Sequence, residues 1–401
     1  MSENASANSG LPANAADPFP SSTPKPFGKT AQPVAPAAIP KEKKVTLRKR
    51  SLFTPAARVS PQEKAGARLP QHMQAAASER LVSLLDDIAN GVYAHCVPTG
   101  FNTLDEKLAG GLRAGLYLLG GAPGSGKTAL AVNIADHIAI LEQDVLFITL
   151  ETSASELMLR SISRIIAQQN NGTGLTYTDL LNASAIKEKR VQNAVSYYDL
   201  SIAPHLYYYE GSGGFGTQNI RELTERHISL TGNIPVLIID FLQVLASHDL
   251  LTTDQSSICR AAADLKCLAR DYSAPVICLS GFNDCDSRHA ASLASFAGTG
   301  NIGNACDAVF ALQLEGQGQA DFDPQHAIAA APRKMQLVCL KYRQGPQGWC
   351  LPLRYFPAVN LFTDMVNDIP SIAQTNILKK GARAKLSPGL LPSKFASLFD
   401  K

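Results

Sequence analysis

The chain has little from which to build a covalent or metal framework. Its 401 residues include eight cysteines, none in a C-x-x-C pair, and eight scattered histidines without metal-ligand spacing. That argues against a disulfide scaffold or a zinc module, and cysteines inside apolar runs such as Pro275-Val-Ile-Cys-Leu-Ser280 read as reduced core thiols. No apolar stretch approaches the length of a bilayer span, and the first residues lack the apolar core of a signal peptide, so the expectation is a cytoplasmic protein with no membrane partner. Aromatic residues make up 7% of the chain, and Trp349 is the single tryptophan. With so few rings, Trp349 and Tyr207-Tyr208-Tyr209 are expected to pack in a sheet rather than stack on nucleic-acid bases. No internal repeat is present.

Large apolar side chains are scarce in the first seventy residues, which hold 11 of the 24 prolines amid Ala, Ser and Asn. Such a composition cannot bury enough surface to offset the entropy of ordering, so residues 1–74 are expected to form a disordered Pro/Ala-rich arm. The first seventy residues carry 11 Lys and Arg against 4 Asp and Glu, a net +7, which leaves −4 for the remainder. The overall +3 therefore hides a basic arm on a mildly acidic body. Its densest run, Lys41-Glu-Lys-Lys-Val-Thr-Leu-Arg-Lys-Arg50, suits contact with nucleic acid or an acidic partner, and equally a solvated linker. Residues 366–401 are basic and weakly patterned, and a flexible tail is expected there.

Between these ends the pattern becomes regular. Leu81, Leu84, Leu85 and Ile88 fall on one face of an expected helix over Ala75 to Gly91, within a linker of residues 75–95. From residue 96 to about 365 strands and helices alternate: strands at Leu116–Gly120, Val145–Leu150, Leu206–Tyr209, Val236–Phe241 and Pro275–Ser280, with helical patterns between. This predicts an α/β domain with a mostly parallel sheet covered on both faces. Three late strands, near Ala308–Leu314, Met335–Lys341 and Leu351–Phe356, have no helices between them and predict an antiparallel C-terminal edge.

The most specific signal is Gly121-Ala122-Pro123-Gly124-Ser125-Gly126-Lys127-Thr128, a phosphate-binding loop G-x-x-x-x-G-K-[ST]. It stands between an apolar strand and an apolar-periodic helix, the context the motif requires. The glycines let successive N–H groups point into one concavity, and the helix that follows adds its positive dipole end. ATP is the expected ligand, with Lys127 reaching the β- and γ-phosphates and the Thr128 hydroxyl on Mg²⁺. Pro235-Val-Leu-Ile-Ile-Asp240 is an apolar strand ending in an acid, which places Asp240 as the Mg²⁺-shell carboxylate. Val145-Leu-Phe-Ile-Thr-Leu-Glu151 ends at the same edge in Glu151, the candidate base for water; a helix-initiating acid is the other reading of that residue.

Together with Val97–Asp105, Gly110-Gly-Leu112, Leu150–Leu157 with Arg160, Ile239–Val244, Cys259–Ala269 and Leu340-Lys-Tyr-Arg-Gln-Gly-Pro346, these motifs are similar in order and spacing to the RecA-like motor domain of DnaB-type replicative helicases. The resemblance covers roughly residues 75–365. It implies a ring-forming ATP hydrolase with a hexamer as the expected ring, and hence a DNA helicase or translocase acting on single-stranded DNA in replication, with a mobile element as one setting for it.

 It further implies Glu151 as the catalytic base, Gln243 as a polar γ-phosphate sensor, and Lys341 with Arg343 as a K-x-R pair that reaches into a neighbouring subunit's nucleotide site. The helix at Ala75 to Gly91 then stands where the family has its subunit-linking helix. A replication or loading protein is the further partner implied. The other function compatible with these motifs is a RecA-like DNA-maintenance ATPase or an ATP-gated loading adaptor that does not unwind DNA.

The chain departs from the family pattern in three places. Ser280-Gly-Phe-Asn-Asp284 lacks the usual glutamine and arginine, and Phe296–Asp307 keeps Gly300, Ile302 and Asp307 without the usual acids. The loop Ala246–Asp254, where a channel contact to DNA is expected, contains no Lys or Arg, and Arg288 is the one basic residue between Gly281 and Asp307.

Overall fold

The computed structural model describes residues 77–89, 96–170, 172–212, 214–246, 254–282, 289–296 and 302–365. The basic arm, the C-terminal tail, Arg288 and most of the expected channel loop lie outside the described residues.

Helix α1 (Ala77–Ala89) falls inside the helix expected over Ala75 to Gly91, whose remaining positions lie outside the described residues. Its Leu81, Leu84, Leu85 and Ile88 are all exposed, as is Val82. The domain proper runs α2 (Asn102–Lys107), β1 (Gly115–Gly121), α3 (Lys127–Ile140), β2 (Val145–Thr149), α4 (Ala154–Gln169), α5 (Tyr177–Leu180), α6 (Lys189–Ser201), β3 (Leu206–Glu210), α7 (Thr217–Thr231) and β4 (Val236–Asp240). It continues through α8 (Leu242–Ala246), α9 (Asp254–Asp271), β5 (Pro275–Gly281), α10 (Ile302–Ala305), β6 (Ala308–Leu314), α11 (Pro324–Ala329), β7 (Arg333–Tyr342), β8 (Cys350–Phe356) and β9 (Leu361–Asp364).

These strands form one sheet in the order β3-β2-β4-β5-β1-β6-β7-β8-β9. The first six are parallel and the last three antiparallel, as the spacing of helices along the sequence predicts. Every residue of β1, β2 and β4 is buried, because helices cover both faces. One core layer packs α3 and α4 on the face lined by Tyr117, Leu119, Phe147 and Ile238. The other packs α8 and α9 on the face lined by Leu116, Leu118, Ile148 and Ile239. Successive residues of one strand thus serve opposite layers, which is why these strands read as unbroken apolar runs.

Besides the short helices α2, α8 and α10, two further elements are not legible in the pattern, α11 and β9. The first is a short helix whose N-cap, Asp323, accepts from the Gln325 and His326 amides. The second is only four residues long. Of the tyrosine cluster, Tyr208 packs on one core layer, whereas Tyr207 and Tyr209 take the opposite face of β3, where their rings meet His227 at 4.7 Å and Phe215 at 5.1 Å, and are 37% and 36% exposed. Trp349 packs against Phe310 with ring centroids 5.6 Å apart and donates its indole N–H to Pro346 O. Among the cysteines, Cys278, Cys306 and Cys339 are buried as expected, while Cys350 is exposed. No described helix is long and apolar enough to cross a membrane.

Candidate active site

Strand β1 ends at Gly121 and the chain turns through the glycine loop straight into α3. Gly124 and Gly126 hold φ of 71° and 96°, a region that side chains with a Cβ rarely adopt. A Cβ at Gly124 would meet nothing within 4 Å, so the loop is an open cradle on that side. Gly126 is the N-cap of α3 and offers no side-chain cap, which leaves first-turn N–H groups for an anion. The Ser125 hydroxyl is buried with no partner among the described residues. Lys127 folds back on the loop and donates to Gly121 O at 2.9 Å and Ala122 O at 3.1 Å. Burial lowers its pKa, opposed by the charges of Asp240 and Glu151. A cradle with uncommitted donors and a desolvated ammonium fits a polyphosphate.

Asp240 closes β4, one strand removed from β1 across β5, and is almost fully buried. It accepts from the Thr128 hydroxyl at 2.8 Å, which brings the two proposed Mg²⁺-shell residues together. Burial raises its pKa, and the Thr128 hydrogen bond and the Lys127 and Arg160 charges work against that rise, whereas Glu151 adds to it. Such a carboxylate and hydroxyl are hard oxygen donors of the kind Mg²⁺ takes. Thr149 is the register partner of Asp240, and Glu151 lies two residues beyond it, exposed and near enough for its charge to act on both Lys127 and Asp240. Gln243, on α8, lies over the end of the intervening strand: its amide nitrogen donates to Ser280 Oγ at 2.8 Å and its oxygen accepts from Gly281 N at 3.2 Å.

Lys341 and Arg343 stand elsewhere. A register shift between Val309 and Phe310 inserts one extra residue in β7. Before it, Met335, Leu337 and Cys339 are buried; after it Tyr342 is buried, so Lys341 and Arg343 turn to the opposite face. Arg343 N donates to Asp307 O, and Asp307 N to Leu116 O, both at 2.8 Å. Arg343 is therefore level with the start of β1, and Gly121 is five residues further along that strand, about 17 Å at a strand's rise per residue. The chain's own Arg343 and its own glycine loop thus lie toward opposite ends of one sheet, with Lys341 between them, level with Leu118.

The C-terminal strands add contacts that the motif search missed. The Tyr355 and Phe362 rings stack at 4.2 Å and 10° against Gly126, where a Cβ would meet both rings at 3.0 Å. Asn133 of α3 donates to Asn360 O at 2.9 Å and accepts from Phe362 N at 3.2 Å, and Arg333 donates to Gly124 O at 3.4 Å. The hairpin of β8 and β9 thus braces the loop from the side away from Asp240. No sequence motif announces this, because the contacts depend on how the sheet edge folds back.

A family model described as the DnaB-like helicase C terminal domain matches residues 96–364. The chain belongs to the DnaB-like helicase C-terminal domain family. This DnaB-like domain is 25% identical over 276 residues to the replicative DNA helicase DnaB of Geobacillus stearothermophilus, covering 67% of this chain and 56% of that protein. It is 27% identical over 192 residues to the DnaB of Pasteurella multocida, covering 47% of this chain and 39% of that protein. Against the latter and the DnaB of Haemophilus influenzae, the chain spans about two fifths of the relative's length, 39% and 42%. Among solved structures, the ATPase domain of G40P superposes with a TM-score of 0.61 at 19% identity, covering 73% of this chain and 99% of that one. A DnaB-like replicative helicase, studied for its interactions with primase, superposes with a TM-score of 0.59 at 19% identity, covering 73% of this chain and 67% of that one. The fold of this DnaB-like domain is accordingly RecA-like.

Proposed function

We propose that this DnaB-like domain is an ATP hydrolase that couples turnover to movement on single-stranded DNA in replication, as a homo-oligomeric ring, with a hexamer as the ring that the family resemblance implies. The observation that carries the reading is the spatial split between the glycine loop, with Asp240 and Glu151, and Arg343 of the K-x-R pair toward the far end of the sheet. In this reading Gly121 to Thr128 cradle the phosphates, and Lys127 leaves the loop carbonyls for the phosphate oxygens. Thr128 and Asp240 hold Mg²⁺, which when bound supplies positive charge to the phosphoryl group in flight. Glu151 accepts a proton from the attacking water, and Gln243 reports the γ-phosphate to the end of β5. Arg343 and Lys341 of an adjacent subunit complete the site. The domain limits follow the same reading: arm 1–74, linker helix 75–95, ATPase domain 96–365 and tail 366–401.

The full chain is expected to hydrolyse ATP faster with an oligo-dT single strand than without, and to displace a strand annealed to it. A turnover indifferent to the oligonucleotide, with no strand displaced, argues for a nucleotide-gated protein of another kind.

Asp240 makes the metal step sensitive to pH. Its folded-state pKa is raised from 3.8, so without ligand the folded chain holds this proton more tightly than the unfolded chain. Its contribution to unliganded stability therefore falls as pH rises from about 3.8 through the raised value. Mg²⁺ needs the ionised carboxylate, so the stabilisation conferred by Mg–ATP grows over the same window. Melting curves with and without Mg–ATP across that range are expected to diverge with rising pH, and Asp240→Asn to abolish the divergence.

A further inference from the structure

Asp307 immediately precedes β6 at the end of the sheet where Arg343 lies, and three other chain segments meet on it. Its carboxylate Oδ2 accepts from Leu116 N at 2.8 Å and from Lys266 Nζ of α9. Its other oxygen, Oδ1, faces Arg343 Nη1 at 3.9 Å. Its main-chain oxygen accepts from Arg343 N at 2.8 Å. The two carboxylate oxygens divide the labour: Oδ2 is anchored to β1 and α9, and Oδ1 is turned toward the guanidinium. The fit is close, since a Cβ on Gly115 would stand 2.8 Å from Oδ2.

Arg343 is otherwise an exposed side chain that needs holding. It is about half exposed, its Nη2 donates to Asn304 O, and Lys341 Nζ beside it donates to Gly303 O. Both acceptors belong to the short helix α10, just before Asp307 in the chain. Two cations side at the strand end would splay apart by mutual repulsion. Burial and the neighbouring Arg343 charge lower the Lys341 pKa, in keeping with that crowding. Asp307 is the anion that offsets it.

We propose that Asp307 is a positioning residue for Arg343, aiming it across the subunit boundary while touching no nucleotide itself. This rests on the reading that Arg343 acts in a neighbouring subunit's site. Because Asp307 lies level with the start of β1, far from its own chain's Gly121, it governs the site that its subunit helps to complete and leaves its own phosphate cradle untouched.

Asp307→Asn is the test, since the amide keeps an acceptor for Leu116 N and loses the charge facing Arg343. In the full-length ring, kcat for ATP is expected to fall roughly 10- to 100-fold, the cost of misplacing a catalytic group by about 1 Å, with ATP affinity unchanged. Mixed with Lys127→Ala subunits, Asp307→Asn is expected to regain turnover, because its own glycine loop then meets an intact arginine from its neighbour. A general folding defect would show no such rescue. Arg343→Ala mixed with Lys127→Ala is run beside it. Rescue of Arg343→Ala without rescue of Asp307→Asn overturns the proposal and leaves the shared site standing; rescue of neither overturns both. If Asp307→Asn does not fold, Lys266→Met replaces it, changing the charge on the same carboxylate from a partly exposed position. A shift in kcat of at least about twofold at constant ATP affinity, again rescued in the mixture, supports the proposal, and an unchanged kcat overturns it.

Discussion

An Arg343→Ala ring is expected to lose ATP turnover by about 10³- to 10⁵-fold, the range for removing an arginine that stabilises charge on a transferring phosphoryl group. Turnover is expected to return in part when these subunits are mixed with Lys127→Ala subunits. Each mutant alone breaks every site: one lacks the arginine, the other the phosphate lysine. In a mixture, some boundaries pair an intact glycine loop with an intact Arg343. The expectation follows from the level of Arg343 along the sheet, since its main chain bonds to Asp307 beside Leu116 and not to the Gly121 end. Steady-state turnover as a function of mixing ratio, after verified subunit exchange, is the measurement. Activity no greater than the weighted sum of the two mutants would mean that each chain hydrolyses ATP unaided.

Glu151→Gln and Lys127→Ala are expected to separate chemistry from binding. Lys127 Nζ already rests on Gly121 O and Ala122 O, so its removal deletes a charged phosphate contact and leaves the loop's backbone path in place. A hydrogen bond to a charged group contributes about 1.5–3 kcal/mol, so ATP affinity should drop roughly 10- to 100-fold. Glu151→Gln keeps the shape of an exposed side chain outside the cradle. Affinity should hold, while turnover falls by about 10²- to 10⁴-fold, the usual contribution of a general base. Titration of each variant with a fluorescent ATP analogue, alongside single-turnover hydrolysis, separates the two effects. Hydrolysis that survives in Glu151→Gln would remove that residue from the proton transfer.

Much of the parallel half of the domain could be read from the sequence, for a physical reason. A strand buried on both faces has no polar alternation to conceal it, so Leu116–Leu119, Val145–Ile148 and Val236–Ile239 stand out as apolar runs. The residues proposed for the chemistry sit where those runs stop, at Gly121, Asp240 and, two residues past its strand, Glu151. The edge strands were harder. β9 is four residues long, and the bulge in β7 shifts the alternation at Leu340, which only pairing with β6 reveals. The brace of Tyr355, Phe362 and Asn133 on Gly126 joins residues more than two hundred positions apart, and no local pattern carries such a contact.

The placement of complementary halves at opposite ends of one sheet also bears on assembly. If Arg343 acts across a subunit boundary, two unlike surfaces must meet, the contact is heterologous, and each added subunit presents the same unmatched surface as the last. If Arg343 acts as proposed, a closed ring has as many complete catalytic centres as subunits, whereas an open arc always lacks one. A gap through which a DNA strand could enter would then be marked chemically, by a glycine loop facing no arginine at one lip and an arginine facing no nucleotide at the other.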